Sequence, residues 1–143
     1  MKALVYTSPD EIRLQDFPDP QPAPGEVIIR IKASGICGSD MHAYHGHDPR
    51  RRPGLVMGHE AAGEIWHSES PLFTPGPKVT VDPLITCGRC AYCRTGRDNL
   101  CENRGMVGMT RPGAYAEYMS IPAASVIPLP DRMPLVLGAL AEP

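Results

Sequence analysis

The sequence contains no run of about eighteen consecutive apolar residues, so no membrane-spanning helix is expected. Its formal net charge of −2 leaves it without the basic footprint that nucleic-acid binding requires, and no such partner is expected. The opening stretch MKALVYTSPDEIRLQ meets Asp10 and Glu11 before any long apolar segment, which argues against a secretory signal. The expected compartment is therefore the cytoplasm, where cysteines stay reduced. No internal repeat, no low-complexity segment and no Gly-x-Gly-x-x-Gly phosphate-binding turn occurs. Disorder is excluded as well, because 42% of the residues are hydrophobic.

What is present is proline, glycine and clustered thiol. Seventeen Pro and fourteen Gly are spread along 143 residues, as in one loop-rich, mainly β domain. Strands are expected over 2–6, 11–17, 26–33, 64–67, 78–81, 114–121 and 126–129, from alternation and β-branched content. Pro18 to Gly25, with proline at every second position, reads as an extended connector. A short helix is expected over 39–45, with Ser39 or Asp40 as its N-cap, and another over 133–142. The run Arg50-Arg51-Arg52 reads as solvated loop. Many short strands with few helices suggest a small, partly open β-barrel.

Four of the five cysteines form one run, Cys87-x2-Cys90-x2-Cys93-x7-Cys101. Zinc favours four thiolates at about 2.3 Å in a tetrahedron, and short spacers let one turning loop supply them. Gly88 and Gly96 relieve the bends. Such a lobe has little apolar content, so its order must come mostly from the metal. An iron–sulfur cluster competes, but its run would continue with three residues to Cys-Pro, whereas here seven intervene and Glu102 follows. A nucleic-acid zinc ribbon would pair two knuckles across a longer spacer in a basic domain. Structural zinc is the expectation.

The leftover Cys37 sits in a turn between Gly35 and Gly38, and His59 lies between Gly58 and Glu60. A carboxylate inside the otherwise apolar stretch around residue 60 needs a reason. A mixed Cys/His set with an open position is what a catalytic zinc requires.

Together these motifs carry a resemblance. Gly35-Ile36-Cys37-Gly38-Ser39-Asp40-Met41-His42, Gly58-His59-Glu60-Ala61-Ala62-Gly63, the four-cysteine lobe, Gly113-Ala114-Tyr115-Ala116-Glu117-Tyr118 and Ala141-Glu142-Pro143 resemble the zinc-dependent medium-chain alcohol dehydrogenases. The similarity is nearest to the sorbitol/polyol and threonine dehydrogenase branch and runs from residue 2 onward. It implies a GroES-like (chaperonin-10-like) partly open β-barrel with short helices and a zinc-binding cysteine lobe at 87–101. It implies two Zn2+ per chain. Cys37 and His59 match the catalytic-zinc ligands. Glu60 and Glu142 match two further positions, one binding directly and one through water, in an order the sequence leaves open. Asp40 matches the acid that orients the zinc histidine, and Ser39 and His42 match the proton relay. Tyr44 and Tyr115 fall where that family lines its substrate cleft, while His45, His47 and His67 match no motif and read as surface.

The implied activity is oxidation of a secondary alcohol or polyol by zinc-assisted deprotonation and hydride transfer to NAD or NADP. The complete enzyme of this resemblance is a homo-oligomer. Residues 1–143 match an incomplete catalytic domain, and the Rossmann nucleotide-binding domain is absent from this chain, so the fragment is expected to be inactive alone. Gly76-Pro77-Lys78 departs from the Gly-Asp-basic turn common at that point. A non-catalytic zinc-binding scaffold module is the alternative reading, and a cluster or ribbon protein on nucleic acid a third.

Overall fold

The computed structural model describes every residue from Met1 to Pro143. Ten strands follow in order: β1 (Lys2–Ser8), β2 (Glu11–Asp16), β3 (Glu26–Ser34), β4 (Leu55–Val56), β5 (Ala61–Ser68), β6 (Lys78–Val81), β7 (Leu84–Ile85), β8 (Gly105–Met106), β9 (Tyr118–Pro122) and β10 (Val126–Pro128). The helices are short, α1 (Gly38–Tyr44) and α2 (Leu135–Gly138). The protein is thus mainly β, as the sequence predicts. None of its helices is long and apolar enough to cross a membrane.

Five strands form the main sheet in the order β10-β6-β5-β3-β9, and β2-β1-β4 form a second. The core gathers where alternate residues of these strands meet. Val27 and Ile29 of β3, Ile65 of β5, Val79 and Val81 of β6, and Met119 and Ile121 of β9 are all buried in one cluster. Each such side chain contributes roughly 1.5–3 kcal/mol by leaving water. A bridge between Ala3 and Ala116 ties the second sheet to the loop before β9.

One pairing decides where the chemistry lies. β3 and β5 run antiparallel, and their last paired residues are Ser34 and Ala61. The chain leaves β3 toward Cys37 at the same end where it enters β5 from His59 and Glu60. Two segments more than twenty residues apart therefore meet at one end of the sheet.

The structure departs from the sequence reading in several places. β5 begins at Ala61 rather than at residue 64, because Ala61 and Ala62 pair with Ser34 and Ala33. Residues 114–117 are not strand. Their backbone is spent on other partners, with the Tyr115 carbonyl accepting from Leu4 N at 2.7 Å and Ala114 N donating to Gly58 O at 2.9 Å. The C-terminal helix is only Leu135–Gly138 followed by a 3-10 turn, since Pro134 precedes it and blocks earlier entry. The two-residue ribbon of β7 and β8 at the base of the cysteine lobe was too short to signal itself. Arg51 is buried, not solvated.

Candidate metal centres

The first centre is built at the start of α1. The N-cap is Cys37, not Ser39 or Asp40 as the sequence suggested. Asp40 stands at the third helical position and its Oδ2 accepts from Cys37 N at 3.3 Å, half of a capping box. The cap thus fixes the thiol and the carboxylate in one turn. Ligand atoms of Cys37, His59 and Glu60 all lie within 4.8 Å of one another, and His59 and Glu60 are buried.

Glycines make room for this convergence. A Cβ on Gly35 would stand 2.0 Å from Glu60 Oε2, so the carboxylate occupies the space a side chain would fill. Gly35 N also donates to Glu60 O at 2.8 Å. Gly58 has φ +89°, and a Cβ there would meet the Tyr115 ring at 2.5 Å. Gly58→Ala should therefore push Tyr115 away and strain the backbone, at a cost on the order of 1–3 kcal/mol. An unchanged denaturation midpoint would show that the ring and turn are not coupled.

Behind the ligands lies a buried charged network. His59 Nδ1 faces Asp40 Oδ1 at 3.5 Å, and Asp40 Oδ2 accepts from the Tyr115 hydroxyl at 2.9 Å. Arg51 Nη2 lies 3.5 Å from Asp40 Oδ1, and Arg51 Nη1 lies 3.5 Å from Asp48 Oδ2. Arg51 also donates to Ser39 O at 2.7 Å and to Gly108 O at 3.1 Å, which holds the first turn of α1 against the loop at 108. Nothing in a run of three arginines distinguishes the buried one, and the sequence missed it.

The protonation states follow from these neighbours. The Asp40 carboxylate facing it at 3.5 Å pushes His59 up to about 9, burial opposes this, and Cys37 adds to the rise. Burial raises Asp40, but His59, Tyr115 and Arg51 outweigh it and hold the carboxyl below its usual range. Bonding to Ser39, ahead of the effect of His59, draws the Cys37 thiol down. With Nδ1 turned to Asp40, Nε2 is the nitrogen left for a ligand role, the arrangement by which a carboxylate fixes a metal histidine.

Asp40 Oδ1 and His59 Nδ1 are both buried without a hydrogen bond, their 3.5 Å approach being too poorly aligned to make one. An ion on Nε2 would fit this pair, since it demands the Nδ1–H tautomer that such a contact needs. Glu142 stands outside the group of three ligand atoms. Burial pushes its carboxyl up, and it still feels His59, Glu60, Asp82 and Asp40. Ser39 and His42 are exposed on α1. Tyr44 and Tyr115 line an apolar groove of about 610 Å3 with Leu4, Ile12, Ile36 and Met41. Their hydroxyls are engaged elsewhere, Tyr44 to Asp10 O at 2.6 Å and Tyr115 to Asp40, so Tyr115 positions the site rather than only lining a cleft.

The second centre is the cysteine lobe. Ligand atoms of Cys87, Cys90, Cys93 and Cys101 lie within 4.8 Å of one another. Cys90 and Cys93 sulfurs are 3.4 Å apart and those of Cys87 and Cys93 are 4.0 Å apart. Four thiolates about 2.3 Å from one tetrahedral ion would stand about 3.8 Å apart, between these two values. Gly88 and Gly96 adopt φ +66° and +69°, the bends expected of them. Backbone N–H groups of Arg89 and Cys90 pull the Cys87 thiol down to about 6. Arg97 is stacked 5.3 Å over the Tyr92 ring.

Comparison with known proteins defines the class. Residues 23–131 match the alcohol dehydrogenase GroES-like domain. The chain belongs to the zinc-dependent medium-chain alcohol dehydrogenase family through this domain. Among its relatives, the L-threonine 3-dehydrogenase of Xanthomonas oryzae pv. oryzae (strain MAFF 311018) is 39% identical over all of this chain and 44% of its own length. That of Chelativorans sp. (strain BNC1) is 38% identical, with 43% of its length covered. The chain thus spans less than half of the curated relatives it matches. Galactitol-1-phosphate dehydrogenase from Escherichia coli superposes with a TM-score of 0.92 at 31% identity, over 98% of this chain and 41% of that one. Acetophenone reductase from Geotrichum candidum, in complex with NAD, gives 0.88 at 33% identity, over 99% and 43%.

Proposed function

We propose that residues 1–143 are the zinc-binding N-terminal catalytic part of an NAD(P)-dependent alcohol or polyol dehydrogenase that oxidises a secondary alcohol. The observation that carries this reading is the meeting of Cys37, His59 and Glu60 at one sheet end, beside a separate four-thiol cluster. Cys37 and His59 would hold the catalytic zinc, with Glu60 and Glu142 supplying the carboxylates, and Cys87, Cys90, Cys93 and Cys101 the structural one. When bound, the catalytic zinc supplies Lewis acidity to the alcohol oxygen and the nicotinamide accepts the hydride.

The chain's own residues do the rest. Asp40 orients the His59 ring, and Tyr115, Arg51 and the Cys37 amide hold Asp40. Ser39, whose carbonyl and hydroxyl both take bonds from Arg51, is fixed beside Cys37 and accepts the alcohol proton. His42 lies three residues along α1 on the same face and is exposed, so it can pass that proton to solvent. The nicotinamide belongs to a Rossmann domain outside these residues, since no glycine-rich phosphate turn occurs here. Alone, the chain is expected to bind metal and to lack hydride transfer. The complete enzyme would be a homo-oligomer in the cytoplasm.

Metal analysis tests the reading. Two zincs per chain are expected, falling to one in Cys37→Ser. A single lobe-bound zinc in the unaltered chain would favour a non-catalytic scaffold, and iron with acid-labile sulfide would overturn both.

A further inference from the structure

Three histidines, His42 of the proposed relay and two that match no motif, His45 and His47, crowd the C-terminal end of α1. The His42 and His47 rings lie with centroids 5.1 Å apart, and those of His45 and His47 are 6.2 Å apart. Two imidazoles bound at about 2.0–2.1 Å to one tetrahedral ion would hold their centroids about 5.2 Å apart. The first pair is already at that spacing, and the second is about 1 Å wider. All three side chains are exposed, and their ring nitrogens do not all lie within 4.8 Å of one another, so a side-chain rotation is what would bring them onto one ion.

The backbone brings these rings together. His47 N donates to His42 O at 3.1 Å and Gly46 N to Ala43 O at 2.9 Å, which folds the chain back over the helix end. Gly46 has φ +75°, and a Cβ there would stand 2.8 Å from Pro9 Cγ, so the turn is pressed against the β1–β2 turn. That turn supplies Asp10, whose amide donates to Tyr44 O and whose carbonyl accepts from the Tyr44 hydroxyl. Asp10 is the one non-glycine residue with positive φ, at +63°. Its Oδ1 lies 2.5 Å from His45 Nδ1. A carboxylate on Nδ1 fixes the tautomer that leaves Nε2 with a free lone pair, the usual support for a metal-bound imidazole.

We propose that His42, His45 and His47, with Asp10 supporting His45, form a third metal site that takes an imidazole-preferring divalent ion such as Ni2+, Cu2+ or Zn2+. Three neutral nitrogens with no thiolate suit these ions and disfavour Mg2+ and Ca2+, which take oxygen. His42 is also the relay residue proposed above; that link rests on the proposed function, whereas binding at the three rings does not.

The test uses the zinc-loaded chain titrated with Ni2+ while imidazole Cε1–H resonances are followed by NMR. His42, His45 and His47 should broaden together within the first equivalent, with no release of zinc. His67, exposed and paired with Glu69 Oε1 at 2.8 Å, is the internal control and should stay sharp. His47→Gln should weaken Ni2+ binding at least tenfold. Asp10→Asn, which keeps all three rings, should weaken it about 10–100-fold. The amide spectrum of each variant checks that the fold is retained. Broadening of His67 at the same Ni2+ concentration, broadening that tracks zinc release, or an affinity for His47→Gln within twofold of the original would overturn the site.

Discussion

Cys90→Ser or Cys101→Ser is expected to melt residues 87–101 while leaving the five-stranded sheet folded. Between β7 and β8 the only buried residue is Cys101, and no residue from 87 to 105 joins the main core cluster. Two 3-10 turns, at Cys93–Thr95 and Asp98–Leu100, are all the regular structure the lobe has. Nothing apolar can hold it. Metal binding to small zinc domains contributes about 10–16 kcal/mol, far more than these few contacts supply. Limited proteolysis checks the outcome: rapid cleavage within 87–101 in the variant, together with a protected β3–β5–β6 core. A lobe that stays protected after losing its metal would show that packing, not the ion, orders it.

Asp40→Ala should have the second large effect, a loss of about 3–5 kcal/mol of folding stability, because it leaves buried partners uncompensated. Asp40, Arg51 and His59 are each less than 5% exposed. Without the Asp40 carboxylate, Arg51 keeps only Asp48 as a charged partner, the Tyr115 hydroxyl keeps only Gly35 O, and the His59 Nδ1 faces no acceptor. Against the 5–15 kcal/mol that typically stabilises a domain, such a loss is severe. Asp40→Asn separates positioning from folding. Asparagine keeps the shape and an acceptor oxygen, so the chain should fold while its affinity for the ion at Cys37 and His59 falls about 10–100-fold. Calorimetric unfolding and zinc affinity, measured on both variants, give the answer. Equal stability of Asp40→Ala and the parent chain would mean that water replaces the carboxylate and the network is not closed.

Much of this protein was legible in the chain. The spacing of four cysteines names a closed site because thiolates so near in sequence can hardly avoid meeting around one ion. The alternation of β3 marks Val27 and Ile29 as core because a strand has only two faces. Cys37, His59 and Glu60 could be nominated, through motif resemblance, but their meeting could not be derived from spacing. It follows from the Ser34–Ala61 register, which is a long-range pairing set by the packing of two strands. The same limit hid Arg51, whose sequence neighbours are exposed arginines while its own guanidinium reaches Ser39, Asp40, Asp48 and Gly108. It also mis-assigned the helix cap, because Ser and Asp are good caps by chemistry, yet the turn after β3 puts Cys37 there. The sequence by itself determined most of the longer strands, the thiol lobe and the chemical types available. The tertiary structure alone decided which of them share a site, since contacts across strands depend on register and on backbone approach at glycine, and neither is written in local pattern.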